Sequence, residues 1–216
     1  MENMIPFLLE GLWSALKLAL LTLVFALPLG LIVARGRMSR CKWVQYPIRF
    51  YLLIMRGTPL MLQLMLVYFG PGYIAKALGV TINWDRSVAA VVAFVINYAA
   101  YFAEIYRGGI ESIPKGQYEA GAVLGFTKIQ TFMRIVLPQV VKRILPPMGS
   151  EFMVLIKDTA LAKTIGYAEL LRNAESIASR EFSIIPLLTA GLFYLIMNTV
   201  VERGFSLAEK KLNYYR

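Results

Sequence analysis

Five apolar segments, each long enough to cross a bilayer as a helix, divide this chain and restrict it to the class of all-α integral membrane proteins. They run from about Leu8 to Ala34, Pro47 to Phe69, Ser87 to Tyr106, Pro138 to Leu161 and Ile184 to Phe205. Spanning roughly 30 Å of hydrocarbon takes about 20 helical residues, because backbone groups away from water must find partners within the segment. Gly57 and Pro59 interrupt the second segment, and Pro146, Pro147 and Gly149 the fourth, so each is expected to break or bend there. Of the 216 residues, 58% are hydrophobic and 17% charged, whereas soluble domains average about a quarter charged. No internal repeat or low-complexity linker divides the sequence, and residues 1–216 read as a single membrane domain.

The net charge of +10 flanks the apolar segments instead of forming a stripe on a soluble face, which points to membrane lipid and away from nucleic acid as a partner. With the N-terminus outside, most of the 23 basic residues fall on the inner side. They sit in the loops from Arg35 to Arg49 and from Arg107 to Arg143, and in the tail from Arg203 to Arg216. The positive-inside rule therefore predicts the N-terminus outside and the C-terminus in the cytoplasm. Glu2 and Glu10 stand where a signal peptide carries Lys or Arg, so the first segment is expected to be a retained helix.

The chain contains no histidine and one cysteine, Cys41. That removes the commonest general base and metal ligand, so neither a metal site nor a catalytic residue is expected. A phosphate-binding Gly-x-x-x-x-Gly-Lys-Ser/Thr loop is also missing, and the chain is not expected to bind nucleotide or act as an enzyme.

The inner loop at about 107–137 is too polar to span, yet reads as helical. Pro114 suits a helix start, with Glu119 in the early turns where negative charge is favourable. Ala120, Gly121 and Ala122 offer a surface with little side chain, to which another protein's backbone can come close. Gly125 is placed to end that helix at positive φ and turn the chain into a second one through Ile129 and Phe132. Small residues beside a glycine also occur in ordinary interfacial hairpins. The full spacing is more specific: Glu119-Ala120-Gly121, then Gly125, then Ile135-x-Leu137-Pro138.

That spacing closely resembles the loop by which the permeases of ABC importers grip their ATPase subunits. Three further blocks resemble the polar amino acid (His/Glu/Gln/Arg/opine) branch of those permeases. They are Arg56-Gly57-Thr58-Pro59-Leu60 with Gln63 downstream, Ala103-Glu104-Ile105-Tyr106-Arg107-Gly108-Gly109-Ile110, and Lys157-Asp158-Thr159-Ala160-Leu161. One departure stands out: the family pattern has Ala where this chain has Gly121. The resemblance implies a five-helix type I ABC importer permease in the bacterial inner membrane. It also implies pairing as a homodimer or with a sister permease, two cytoplasmic ABC ATPase subunits and an extracytoplasmic solute-binding protein. ATP and Mg would be bound by the ATPase partner, with no cofactor on this chain.

Charged and polar residues inside spans face a cavity or a partner. Glu151 and Asp158 share a face of the fourth segment, Asn97, Tyr101 and Glu104 a face of the third, and Arg56 and Gln63 a face of the second. Glu104 lies three residues before Arg107, where an i,i+3 ion pair is expected. For an amino acid substrate, Glu151 and Asp158 suit the ammonium or a cationic side chain, while Asn97, Gln63, Tyr101 and Thr159 supply neutral contacts. Equally, Glu151 can pair with Arg56 or a backbone donor and only fix helix packing. Arg56, Gly57 and Pro59 mark a hinge or gate, with Arg56 expected to order the freed backbone. Lys163 to Phe182 reads as a short outer-surface helix, either a docking element or an amphipathic linker.

The favoured substrate is a basic amino acid (arginine, lysine or histidine), because Glu151 is an acid at mid-depth in an apolar segment. Glutamine, another polar amino acid or cystine stays open. So does an ATP-independent channel or carrier, which would not need the coupling loop.

Overall fold

The computed structural model of the chain describes residues 4–81 and 84–212, which form helices and their connections. Glu2, used in the signal-peptide argument, and Arg216, used in the orientation argument, lie outside them. The elements are α1 (Met4–Arg37), α2 (Lys42–Gly57), α3 (Leu60–Ala77), α4 (Arg86–Glu111), α5 (Lys115–Val123) and α6 (Lys128–Thr131). A π-helical turn (Phe132–Val136) leads into α7 (Leu137–Asp158), and a 3-10 stretch (Thr159–Ile165) is followed by α8 (Leu170–Glu181) and α9 (Ile185–Leu212).

Four helices among the described residues, α1, α3, α4 and α9, are long and apolar enough to cross a membrane. The fourth expected segment is α7, whose 22 residues include Lys142, Arg143, Glu151, Lys157 and Asp158. The second segment is not one helix. Thr58 and Pro59 are both extended, with ψ of 149° and 133°, because a residue before proline is pushed out of the helical region. The chain restarts as α3 and continues to Ala77. Arg56 and Gln63 therefore lie on different helices and do not form the single stripe expected from sequence.

The centre of the fold is α1 against α4, the most extensive pairing of elements. Buried Ala15, Ala19, Ala26, Gly30 and Ala34 recur at helical spacing on α1, facing Ala89, Ala90, Ala93, Ala99, Ala100 and Ala103 of α4. Small side chains let the two backbones approach, the main route to helix association where lipid weakens any hydrophobic drive. At Gly30 the approach is tight: an added Cβ would lie 2.9 Å from the Phe102 Cβ.

Two carboxylates start helices. Asp85 accepts from the Ser87 and Val88 N–H groups at 2.9 and 3.0 Å, capping α4. Glu169 is fully buried and accepts from the Leu171 and Arg172 N–H groups at 2.7 and 2.6 Å and from the Tyr194 hydroxyl at 3.0 Å. The expected helix in 163–182 is α8. It is more than a surface linker: Leu170, Ala174 and Ile177 are buried with Leu8 and Ala190. The Asn173 amide also donates to the Phe7 carbonyl at 2.8 Å. These contacts tie α8 to the ends of α1 and α9.

Candidate functional site

The break between α2 and α3 leaves carbonyls without helical donors, and two buried amides supply them. The Gln63 Nε2 donates to the Met55 carbonyl at 3.1 Å, to the Thr58 carbonyl at 3.2 Å and to the Thr58 hydroxyl at 2.8 Å. The Asn97 Nδ2 donates to the same Met55 carbonyl at 3.0 Å and to Gln63 Oε1 at 2.9 Å. Thus Gln63 and Asn97, two of the residues considered for substrate, carry the backbone at the break. The ordering role expected of Arg56 falls to them. Arg56 instead lies over the Tyr101 ring at 5.6 Å and 3.5 Å from Glu104. Gly57 has open space around its Cα.

The expected Glu104–Arg107 ion pair is present and bidentate, with Nε to Oε1 at 3.2 Å and Nη2 to Oε2 at 2.7 Å. Arg107 also reaches Glu111.

On the other side of α4, the Tyr98 hydroxyl donates to Asp158 Oδ2 at 2.8 Å. Tyr98 is buried, stacked with Phe94 and tilted against Phe102, with Tyr101 at 6.2 Å between ring centroids. Sequence reading missed Tyr98. The available signal was its position one turn from both Phe94 and Phe102, with Asp158 in need of a donor. Thr159 is buried and its hydroxyl donates to the Ile156 carbonyl at 2.7 Å. Glu151 is half-buried, within electrostatic range of Asp158 and Arg56. Its carboxylate makes no hydrogen bond or ion pair among the described residues, and Arg56, the alternative partner for it, acts on it only at a distance. Glu151, Asp158 and Tyr98 form one group, Gln63 and Asn97 a second, and Tyr101 connects to the arginines beyond.

The inner loop folds as two short helices at a sharp turn. Helix α5 follows Pro114 and ends at Gly125, whose φ is 77°. There Phe126 N–H bonds the Gly121 carbonyl and Gly125 N–H the Ala122 carbonyl, each at 3.0 Å, the paired C-cap that requires a left-handed residue. Thr127 and Gln130 then form a reciprocal capping box that opens α6. Gly121 is buried, and an added Cβ would lie 2.6 Å from the Thr131 side chain. The missing methyl is explained within the chain, by α5 packing on α6. Glu119 and Ala120 are exposed, and Val123, Leu124, Ile129 and Met133 form an exposed apolar set beside them. The second helix runs through Ile129 as expected, and the Ile129 side chain is exposed.

The family described as binding-protein-dependent transport system inner membrane component matches residues 26–214. The octopine transport system permease protein OccM of Rhizobium radiobacter is 38% identical over 208 residues, covering 92% of this chain and 84% of that protein. The arginine transport system permease protein ArtQ of Bacillus subtilis is 37% identical, covering 96% and 93%. A solved amino acid ABC transporter, crystallised with histidines, superposes with a TM-score of 0.87 at 34% identity, covering 98% of this chain and 96% of that one. Substrates named across the relatives differ: octopine, cystine, arginine and glutamine. The chain belongs to the binding-protein-dependent transport system inner membrane component family, as the permease of an amino acid ABC importer with the type I fold.

Proposed function

We propose that this permease imports a basic amino acid and that Glu151 recognises the cationic group in transit. The observation that carries this reading is the half-buried Glu151 carboxylate, without a hydrogen bond or ion pair among the described residues. A carboxylate placed away from water retains strong demand for a cation. Asp158, anchored by Tyr98, adds negative charge two turns along the same helix. The similarity to a relative named for arginine transport supports the choice. Glutamine, another polar amino acid or cystine is the second reading, for which Gln63 and Asn97 would have to exchange a backbone bond for a substrate bond.

The loop at 107–137 is the ATPase contact in this reading, with Glu119, Ala120 and the apolar set around Val123 entering a cleft on the motor. Gly121 and Gly125 shape that contact without touching the partner. The break at Gly57–Pro59 serves as the hinge. The working assembly has two permeases (identical or sister chains), two ATPase subunits that bind ATP and Mg, and an extracytoplasmic binding protein. It sits in the bacterial inner membrane with the N-terminus outside.

Uptake of radiolabelled arginine, lysine, histidine, glutamine and cystine into vesicles bearing the reconstituted transporter tests this directly. Preference for the cationic set that disappears in Glu151→Gln, with basal ATP hydrolysis retained, supports it. Equal uptake of glutamine by wild type and variant overturns the basic-substrate reading while leaving the importer intact.

A further inference from the structure

Three arginines from two helices face one cleft. Arg37 near the C-terminus of α1 and Arg49 and Arg56 of α2 line an open cavity of about 680 Å³, closed on the α4 side by Tyr101 and Glu104. The charges do not balance. Both Glu104 carboxylate oxygens are held by Arg107 from the same helix, at 3.2 and 2.7 Å, leaving Arg56 at 3.5 Å and Arg37 at 3.9 Å as outer neighbours. Arg49 lies 6.0 Å from the Tyr46 ring and makes no ion pair among the described residues. The cleft therefore presents guanidinium groups from separate backbone positions with one already committed carboxylate among them.

Guanidinium groups suit bidentate binding of carboxylate and phosphate, and a cluster of cations beside low-dielectric surroundings gains from an anion. Arg56 is already held by the Tyr101 ring, and Leu52 and Gly57 give the cavity a wall with little polar competition. Next to it on α2, Trp43, Tyr46 and Phe50 are exposed beside Lys42, a combination of aromatic and basic side chains suited to a headgroup boundary.

We infer that this cleft is an oxyanion-binding site, taking a phosphate or carboxylate group among Arg37, Arg49 and Arg56. Two sources share that chemistry: the phosphate of an anionic phospholipid and a free small anion. Neither the substrate cation site at Glu151 nor the ATPase contact is required for it.

The test is equilibrium titration of the purified transporter, with its ATPase, using dioctanoyl phosphatidylglycerol, dioctanoyl phosphatidylcholine, inorganic phosphate and acetate. Wild type is compared with Arg37→Gln/Arg49→Gln and with Arg49→Lys. At least one anionic probe binds the wild type, the double variant weakens it roughly tenfold or more, and Arg49→Lys, which keeps the charge but loses the planar fork, binds more weakly than wild type and more tightly than the double variant. Phosphatidylglycerol binding without phosphate or acetate binding assigns the site to lipid; the reverse assigns it to a solute. If the double variant fails to assemble, Arg49→Gln against Arg49→Lys carries the same comparison. Absence of binding by every anionic probe, undiminished binding in the glutamine variants, or equal binding of phosphatidylcholine overturns the inference.

Discussion

The Asn97 amide and the Gln63 side-chain carbonyl meet at 2.9 Å, and the two amides converge on the carbonyl of Met55. The backbone break between α2 and α3 is thereby sealed by one side chain from α3 and one from α4. Asn97→Leu leaves the Met55 carbonyl and Gln63 short of partners, at a cost of about 1–3 kcal/mol for the stranded groups. Thermal unfolding of the detergent-solubilised transporter checks this. The loss should be of similar size with and without substrate, as a backbone-holding role requires.

Glu151→Gln removes the charge while keeping the shape. A lost charge-assisted contact is worth about 1.5–3 kcal/mol, so apparent affinity for lysine falls roughly ten- to hundredfold. Uptake kinetics give the result, with the change expected in KM more than in ATP hydrolysis without substrate.

The coupling loop permits two contrasting substitutions. Val123→Asp lies at an exposed position and costs the fold within about 0.5 kcal/mol, yet should abolish co-purification of the ATPase. Gly121→Val meets the Thr131 side chain and should lower the unfolding temperature, overpacking costing about 1–3 kcal/mol. Measuring co-purification and unfolding temperature for both variants separates contact from scaffold. Retained ATPase with Val123→Asp would remove this surface from the interface.

Glu169 makes stability depend on pH. Burial pushes its carboxyl above the ordinary glutamate range, against the lowering effect of the Leu171 and Arg172 N–H groups, the Tyr194 hydroxyl and Lys163. With the folded pKa raised, its stabilising contribution is complete below the unfolded pKa and is lost as pH rises through the folded one. Glu169→Gln should flatten the fall in unfolding temperature as pH rises above the ordinary glutamate pKa. An unchanged slope would show that other groups set it.

What the sequence alone determined is local. Apolar length located α1, α4 and α9, Pro114 and Gly125 bounded α5, and the spacing of Glu104 and Arg107 specified their ion pair, because each depends on neighbours along one helix or on one residue's allowed φ. The motif blocks likewise pointed to the family through their order along the chain. Tertiary structure decided what required distant partners. Gln63 and Asn97 stand 34 residues apart, and Tyr98 and Asp158 stand 60 apart, so their bonds exist only in one register of α3, α4 and α7. The same packing turned Gly121 inward against Thr131, placed Ile129 at the surface and left Arg56 in electrostatic range of Glu151 without a direct ion pair. Helical periodicity assigns residues to faces, but only packing between helices decides which faces meet and which buried polar groups find donors.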